Sequence, residues 1–240
     1  MLLSILMSEG EMSDKILTLL IAVIAFLPAI TVHEWAHGFA AYKLGDRTAK
    51  ADGRLSLNPI DHLDPIGSLV LLLFGFGWAK PVPVMTRNFK KPKRDFAITS
   101  FAGPFSNFVL AFFSALFLVL SFLVPAKLEL SGTTVDVLQS IFSFSLVYNV
   151  GLGLFNLIPL PPLDGSNILM CILPNQLAAR YAKVRYYTRY IILGLVLCTW
   201  LPYPFNTITD IVFLPLDFLR NLMTDGFITV WESLLRPLFF

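Results

Sequence analysis

The chain has 240 residues, of which 56% are hydrophobic and only 14% charged, and its mean hydropathy is +0.71. Soluble domains average about 45–50% apolar and about 25% charged residues, so a water-soluble globular domain is excluded and one polytopic membrane domain is expected. The net charge of +2 is too small for a nucleic-acid surface, and Cys171 and Cys198 stand alone, without a disulfide framework or a C-x-x-C pair.

The first stretch, Met1–Met7, is too short for the apolar region of a signal peptide, and Met7 and Met12 leave the start codon undecided. Ile16–Ala41 has the length of a membrane span, which needs roughly 20 apolar residues. It carries His33, Glu34 and His37 near its end and is followed by Lys43, Arg47, Lys50 and Arg54, so that end is expected in the cytoplasm. Residues 51–65 are rich in turn formers and read as an irregular loop or short strands. Ile66–Phe76 is about half a span and fits a re-entrant or interfacial segment. Gly77–Val84, with its alternating prolines, suits an edge strand or an extended loop, beside which an extended peptide could pair.

Arg87–Arg94 holds five basic residues, a second cytoplasmic signal. Ala97–Val124 then spans outward, Pro125–Asp136 links, and Val137–Leu160 returns. Asp164-Gly165 opens a short helix that ends near Pro174. Arg180, Lys183, Arg185 and Arg189 form a third basic cluster before a fourth span around Tyr190–Leu201. Phe205–Met223 and Phe227–Phe240 read as two further apolar segments, each spanning or lying at the interface. The expected fold is therefore an all-α polytopic membrane protein of four spans, with a fifth or sixth undecided. A short re-entrant or β-strand region lies near the cytoplasmic face. Residues 1–15 form an N-terminal segment, 16–175 the core, and 176–240 C-terminal transmembrane or interfacial helices.

Two of the three histidines lie in His33-Glu34-Trp35-Ala36-His37. On a helix, i and i+4 share a face, so both imidazoles can meet one metal ion, while Glu34 can reach a water beside it. Each ionisable group at membrane depth costs about 2.5–3.5 kcal/mol on insertion scales, and a shared metal gives three of them a reason to be there. A hydrolytic zinc site takes three protein ligands and keeps a fourth position open. The long H-E-x-x-H-x-x-G-x-x-H form is excluded, because Ala40 and Lys43 stand where its glycine and third histidine would be. A glutamate ligand shortly downstream is excluded too, since none occurs between Glu34 and Glu129. His62, Asp64 and Asp164 remain. Asp164 is favoured, because it lies just past the cytoplasmic end of the Val137–Leu160 span, at the depth of the histidines. His62 and Asp64 have two readings, as groups that orient a ligand or oxyanion and as turn punctuation beside Pro59 and Pro65. Gly103, Pro104 and Asn107 mark a close helix approach, with Asn107 able to hydrogen-bond across helices.

HEWAH, NPIDHLDPIG at 58–67 and NLIPLPPLDG at 156–165, in that order, resemble the site-2 protease family of intramembrane zinc metalloproteases. The match runs over roughly residues 16–175 in a minimal form without PDZ or CBS modules. The resemblance implies one Zn2+ held by His33, His37 and Asp164, Glu34 as base, and Asn156 holding the substrate carbonyl or its oxyanion. It also implies cleavage of transmembrane or membrane-adjacent segments of other proteins, at the cytoplasmic side of a prokaryotic cell membrane. The rival readings are a non-proteolytic membrane zinc-binding protein or transporter, and an inactive adaptor. The chain lacks the repeats a transporter would show, and an adaptor has no use for Glu34. The oligomeric state has no sequence signature.

Overall fold

The computed structural model describes residues 9–74, 77–124, 131–198 and 205–239. Met1–Met7, the first part of the Pro125–Asp136 link, and Leu201 at the end of the expected fourth span lie outside the described residues. Among the described residues the chain is all-helical and holds no strand. In chain order the helices are α1 (Met12–Lys43), α2 (Thr48–Ala51), α3 (Pro59–His62), α4 (Pro65–Phe74), α5 (Pro92–Leu123), α6 (Gly132–Leu157), α7 (Asp164–Ile172), α8 (Asn175–Cys198) and α9 (Phe205–Phe239). A 3-10 turn, Thr86–Asn88, precedes α5.

Three helices among the described residues, α1, α5 and α6, are long and apolar enough to cross a bilayer. Each of the three matches an expected span. All three begin several residues earlier than the apolar runs, because a helix satisfies its own backbone and continues into the headgroup region. Pro92 starts α5 where a missing N–H costs nothing, and Ser131 caps α6 by accepting from the Thr134 N–H. Asp14 in the first turn of α1 and Lys43 in its last complement the helix dipole.

The spans pack α5 against both α1 and α6. Small residues line these contacts: Ala22, Ala25 and Ala29 of α1 and Ala111 and Ala115 of α5 are buried. Such residues let backbones approach closely where lipid offers no hydrophobic drive. A β-carbon at Gly153 of α6 would lie 2.7 Å from the Phe108 ring, so glycine is what admits that ring. Ala111, Ala115, Leu118, Leu146 and Val150 form the core, and α9 covers it with Met223, Phe227, Ile228 and Trp231. Phe101, Phe105, Phe113 and Phe117 remain exposed along the outer face of α5, as lipid-facing residues should.

The rest of the chain refines the expected layout. The fourth expected span falls in α8; the described part of that helix carries the Arg180–Arg189 basic cluster and does not by itself meet the length and composition of a span, and residues 199–201 of the expected span lie outside the described residues. The two C-terminal segments are one continuous helix, α9, in which Pro215 and Gly226 do not interrupt the run. Ile66–Phe76 is realised as α4, ten residues from Pro65 to Phe74. Of the edge strand and the extended loop expected at Gly77–Val84, the structure shows the loop. The segment is extended and makes a single antiparallel bridge, Leu63 with Ala79. Its prolines explain the difference: Pro81 and Pro83 have no N–H for a ladder, and the N–H groups of Lys80 and Val82 are engaged by His62 O and Glu34.

Candidate metal centre

α1 carries His33, Glu34 and His37, with His33 ten residues before Lys43, about 15 Å along the axis at 1.5 Å per residue. α5 and α6 run antiparallel, so the chain returns to the level of that end of α1. There Asp164 stands as the first residue of α7. Gly165 makes this placement possible: a β-carbon there would lie 2.2 Å from the Leu157 carbonyl oxygen, so only glycine lets α7 begin against the end of α6.

The three side chains converge. His33 Nε2 lies 3.1 Å from Asp164 Oδ2, His37 Nε2 lies 3.2 Å from the same oxygen, and the two Nε2 atoms are 3.1 Å apart. A tetrahedral zinc at about 2.0–2.1 Å from its donors spaces those donors about 3.3 Å apart, so the set fits the ion with small adjustments. The tautomers fit as well. His37 Nδ1 donates to the Thr99 carbonyl at 2.8 Å, which can only accept, so its lone pair is at Nε2. His33 Nδ1 donates to Asn107 Oδ1, whose own amide hydrogens go elsewhere. Both imidazoles thus point an unprotonated nitrogen at one place, and the second nitrogen of each is anchored as metal-ligating histidines require.

Gly103 makes room for the pair. A β-carbon there would stand 2.4 Å from His37 Nε2 and 2.8 Å from His33 Cε1. The close approach expected at Gly103 is therefore an approach of α5 to the imidazoles themselves.

Glu34 lies outside the cluster, with Oε2 accepting the Val82 N–H at 3.0 Å. Asn156, near the end of α6, spends Nδ2 on the Leu152 carbonyl at 3.0 Å. His62 is fully buried but donates from Nε2 to the Ser56 carbonyl at 2.7 Å, and Asp64 Oδ1 caps the start of α4 by accepting the Gly67 N–H at 2.7 Å. Neither belongs to the ligand group that the described residues form. Sequence reasoning did not single out Asn149, buried in α6 and bonded to Asn107 at 2.8 Å. An amide in a largely apolar run was the available signal.

Peptidase family M50 matches the chain over residues 124–199, a stretch that contains Asn156 and Asp164. "Putative zinc metalloprotease YwhC" of Bacillus subtilis is 45% identical over 165 residues, covering 69% of this chain and 74% of that relative. "Putative zinc metalloprotease Rip2" of Mycolicibacterium smegmatis is 29% identical over 155 residues, covering 62% of this chain and 56% of that protein. No solved structure matches the chain. A cluster that could hold a metal ion, in a chain with three helices of membrane-spanning length, agrees with these likenesses: the chain belongs to peptidase family M50 and is an intramembrane zinc metalloprotease.

Proposed function

We propose that the enzyme hydrolyses peptide bonds within or beside membrane-embedded segments of other proteins, at the cytoplasmic side of the bilayer. The observation that carries this reading is the meeting of His33 Nε2 and His37 Nε2 of the spanning helix α1, which also carries Glu34, with Asp164 Oδ2 at the start of α7. In it His33, His37 and Asp164 hold one zinc ion, residues 16–175 form the catalytic core, and 176–240 buttress it. Bound zinc supplies Lewis acidity, which polarises a peptide carbonyl and acidifies water.

Glu34 takes the proton of the attacking water and returns it to the leaving amine. The Val82 N–H, bonded to Oε2, directs its carboxylate. Asn156 turns Nδ2 from the Leu152 carbonyl towards the substrate oxygen as negative charge develops there. The orientation rests on charge. Lys43, Arg47, Lys50, Arg54, Lys80, Arg87, Lys90, Lys91, Lys93 and Arg94 all fall between the end of α1 and the first turn of α5, on one side of the membrane.

Zinc content and cleavage of a labelled single-span protein, measured together on the full chain in detergent, test the roles. Glu34→Gln should keep zinc and lose cleavage, and Asp164→Ala should lose both. Undiminished cleavage by Glu34→Gln would sink the assignment of the base; full zinc occupancy in Asp164→Ala would sink that of the third ligand. For orientation, a protease-sensitive tag after Gly53 should be cut only in inverted vesicles, and cutting from the outside of intact cells would refute it.

A further inference from the structure

A chain of buried polar groups leads away from His33 between α5 and α6. Asn107 Nδ2 donates to the Ala29 carbonyl at 3.0 Å and to Asn149 Oδ1 at 2.8 Å. Asn149 Nδ2 donates in turn to the Ser145 carbonyl at 2.8 Å and reaches Ser145 Oγ at 3.3 Å. Ser145 Oγ meets Ser114 Oγ at 2.9 Å, and Ser114 Oγ donates to the Leu110 carbonyl at 2.8 Å. Asn107 and Asn149 are 0% and 1% exposed, so water does not compete.

Backbone carbonyls fix the direction of every hydrogen in this chain, because they only accept. The Ser145 carbonyl requires the NH2 of Asn149, which leaves Asn149 Oδ1 facing Asn107. The Ala29 carbonyl and Asn149 Oδ1 together require the NH2 of Asn107, which leaves Asn107 Oδ1 facing His33. An acceptor at that point demands the proton on His33 Nδ1 and so the lone pair on Nε2. The two imidazoles differ in this respect. A backbone carbonyl fixes His37 directly, whereas His33 rests on an amide that could turn over and needs its own orientation defined.

We propose that Asn149 is a positioning residue of the metal centre. Acting through Asn107, it holds His33 in the tautomer and ring orientation that present Nε2 to the ion. The proposal rests on the reading of His33 as a zinc ligand.

The experiment measures the zinc dissociation constant of the full chain in detergent by competition with a chromophoric chelator, together with the visible spectrum of the cobalt-loaded protein. Asn149→Leu should weaken zinc about 10- to 100-fold, with a changed cobalt spectrum and unaltered helical content. Asn149→Asp, neutral at this buried site, keeps an acceptor for Asn107 and a donor for Ser145, and should restore wild-type binding. Asn107→Leu should lose as much as the Asn107→Leu/Asn149→Leu pair, because the second change has nothing left to act through. Should the leucine variant not fold, Asn149→Ala carries the same comparison. Wild-type affinity in Asn149→Leu, additive losses in the pair, or an aspartate variant as weak as the leucine one overturns the proposal. His33→Ala separates the two layers: wild-type zinc binding there refutes the ligand reading and the proposal with it, whereas lost binding there beside intact binding in Asn149→Leu refutes the relay alone.

Discussion

Val82 donates its backbone N–H to Glu34 Oε2 at 3.0 Å, across 48 positions of sequence. Pro81 and Pro83 flank it without an N–H of their own, so this is the one donor that residues 81–83 can offer. The Val82 side chain is buried against Gly38, where a β-carbon would come within 3.2 Å of it. Substituting Val82→Pro removes the donor from an already extended segment. Zinc content should stay unchanged while cleavage falls about 10- to 100-fold, the usual penalty for a misaimed reacting group. Unchanged turnover would mean that the carboxylate is aimed by something else.

Gly103→Ala is expected to empty the metal centre without touching a ligand. The added methyl would sit 2.4 Å from His37 Nε2, so the imidazole or the α5 backbone has to shift. Metal analysis should find little zinc in a protein that is still helical by circular dichroism. Full zinc occupancy would show that α5 can move away from α1.

Asp46 ties the end of α1 to the segment before α5. Fully buried, it accepts from the Thr48 N–H at 3.1 Å, the Met85 N–H at 2.6 Å and Asn88 Nδ2 at 2.7 Å, and from the Thr48 hydroxyl. Burial alone would raise its carboxyl; the donors outweigh that and hold it below the usual range. A depressed folded-state pKa means that the stabilisation is complete above about pH 4, the unfolded value, and is lost as pH falls through the folded one. Asp46→Ala should loosen residues 44–91 by about 2–4 kcal/mol, the cost of orphaning several buried donors. Limited proteolysis checks this: cuts should appear in that stretch at neutral pH in the variant, and only under acid in the wild type.

The three spans were legible because apolar runs of span length have few alternatives, and the candidate metal cluster because i, i+4 histidines and the missing glutamates left few partners. Other features had no such signature. The Glu34–Val82 contact uses a backbone N–H, which no side chain announces. Asn149 was not singled out, and nothing along the chain told that its partner was Asn107. The two C-terminal apolar segments read apart, with Gly226 between them, yet α9 runs through both and packs on the core, which overrides the low helix propensity of Gly226 and of Pro215. At Gly77–Val84 the alternation of residue types suggested a strand, while the hydrogen-bonding capacity of the prolines decided against it.

Trp231 fastens α9 to α5 by donating from Nε1 to the Phe112 carbonyl at 2.8 Å, with its ring 4.8 Å from that of Phe112. Trp231→Phe should cost about 1 kcal/mol through the lost hydrogen bond, and Trp231→Ala about 3–5 kcal/mol through the cavity as well. Thermal melts in detergent would show both, with zinc content the same as in the wild type. A loss of zinc would mean that α9 also shapes the centre.

The depth of His33, about 15 Å below the end of α1, has a consequence for what the enzyme can cut. A guest helix arriving through lipid has committed each carbonyl and N–H to its own turns, because nothing else there can receive them. No scissile carbonyl is on offer until one turn unravels. Choice among guests then depends on how readily a segment melts locally. Glycine, proline or asparagine near the scissile bond should hasten cutting, and an unbroken leucine run should delay it. Two guests with the same scissile bond and different flanks would be processed at different speeds. The enzyme would in effect be timing the breathing of its substrates.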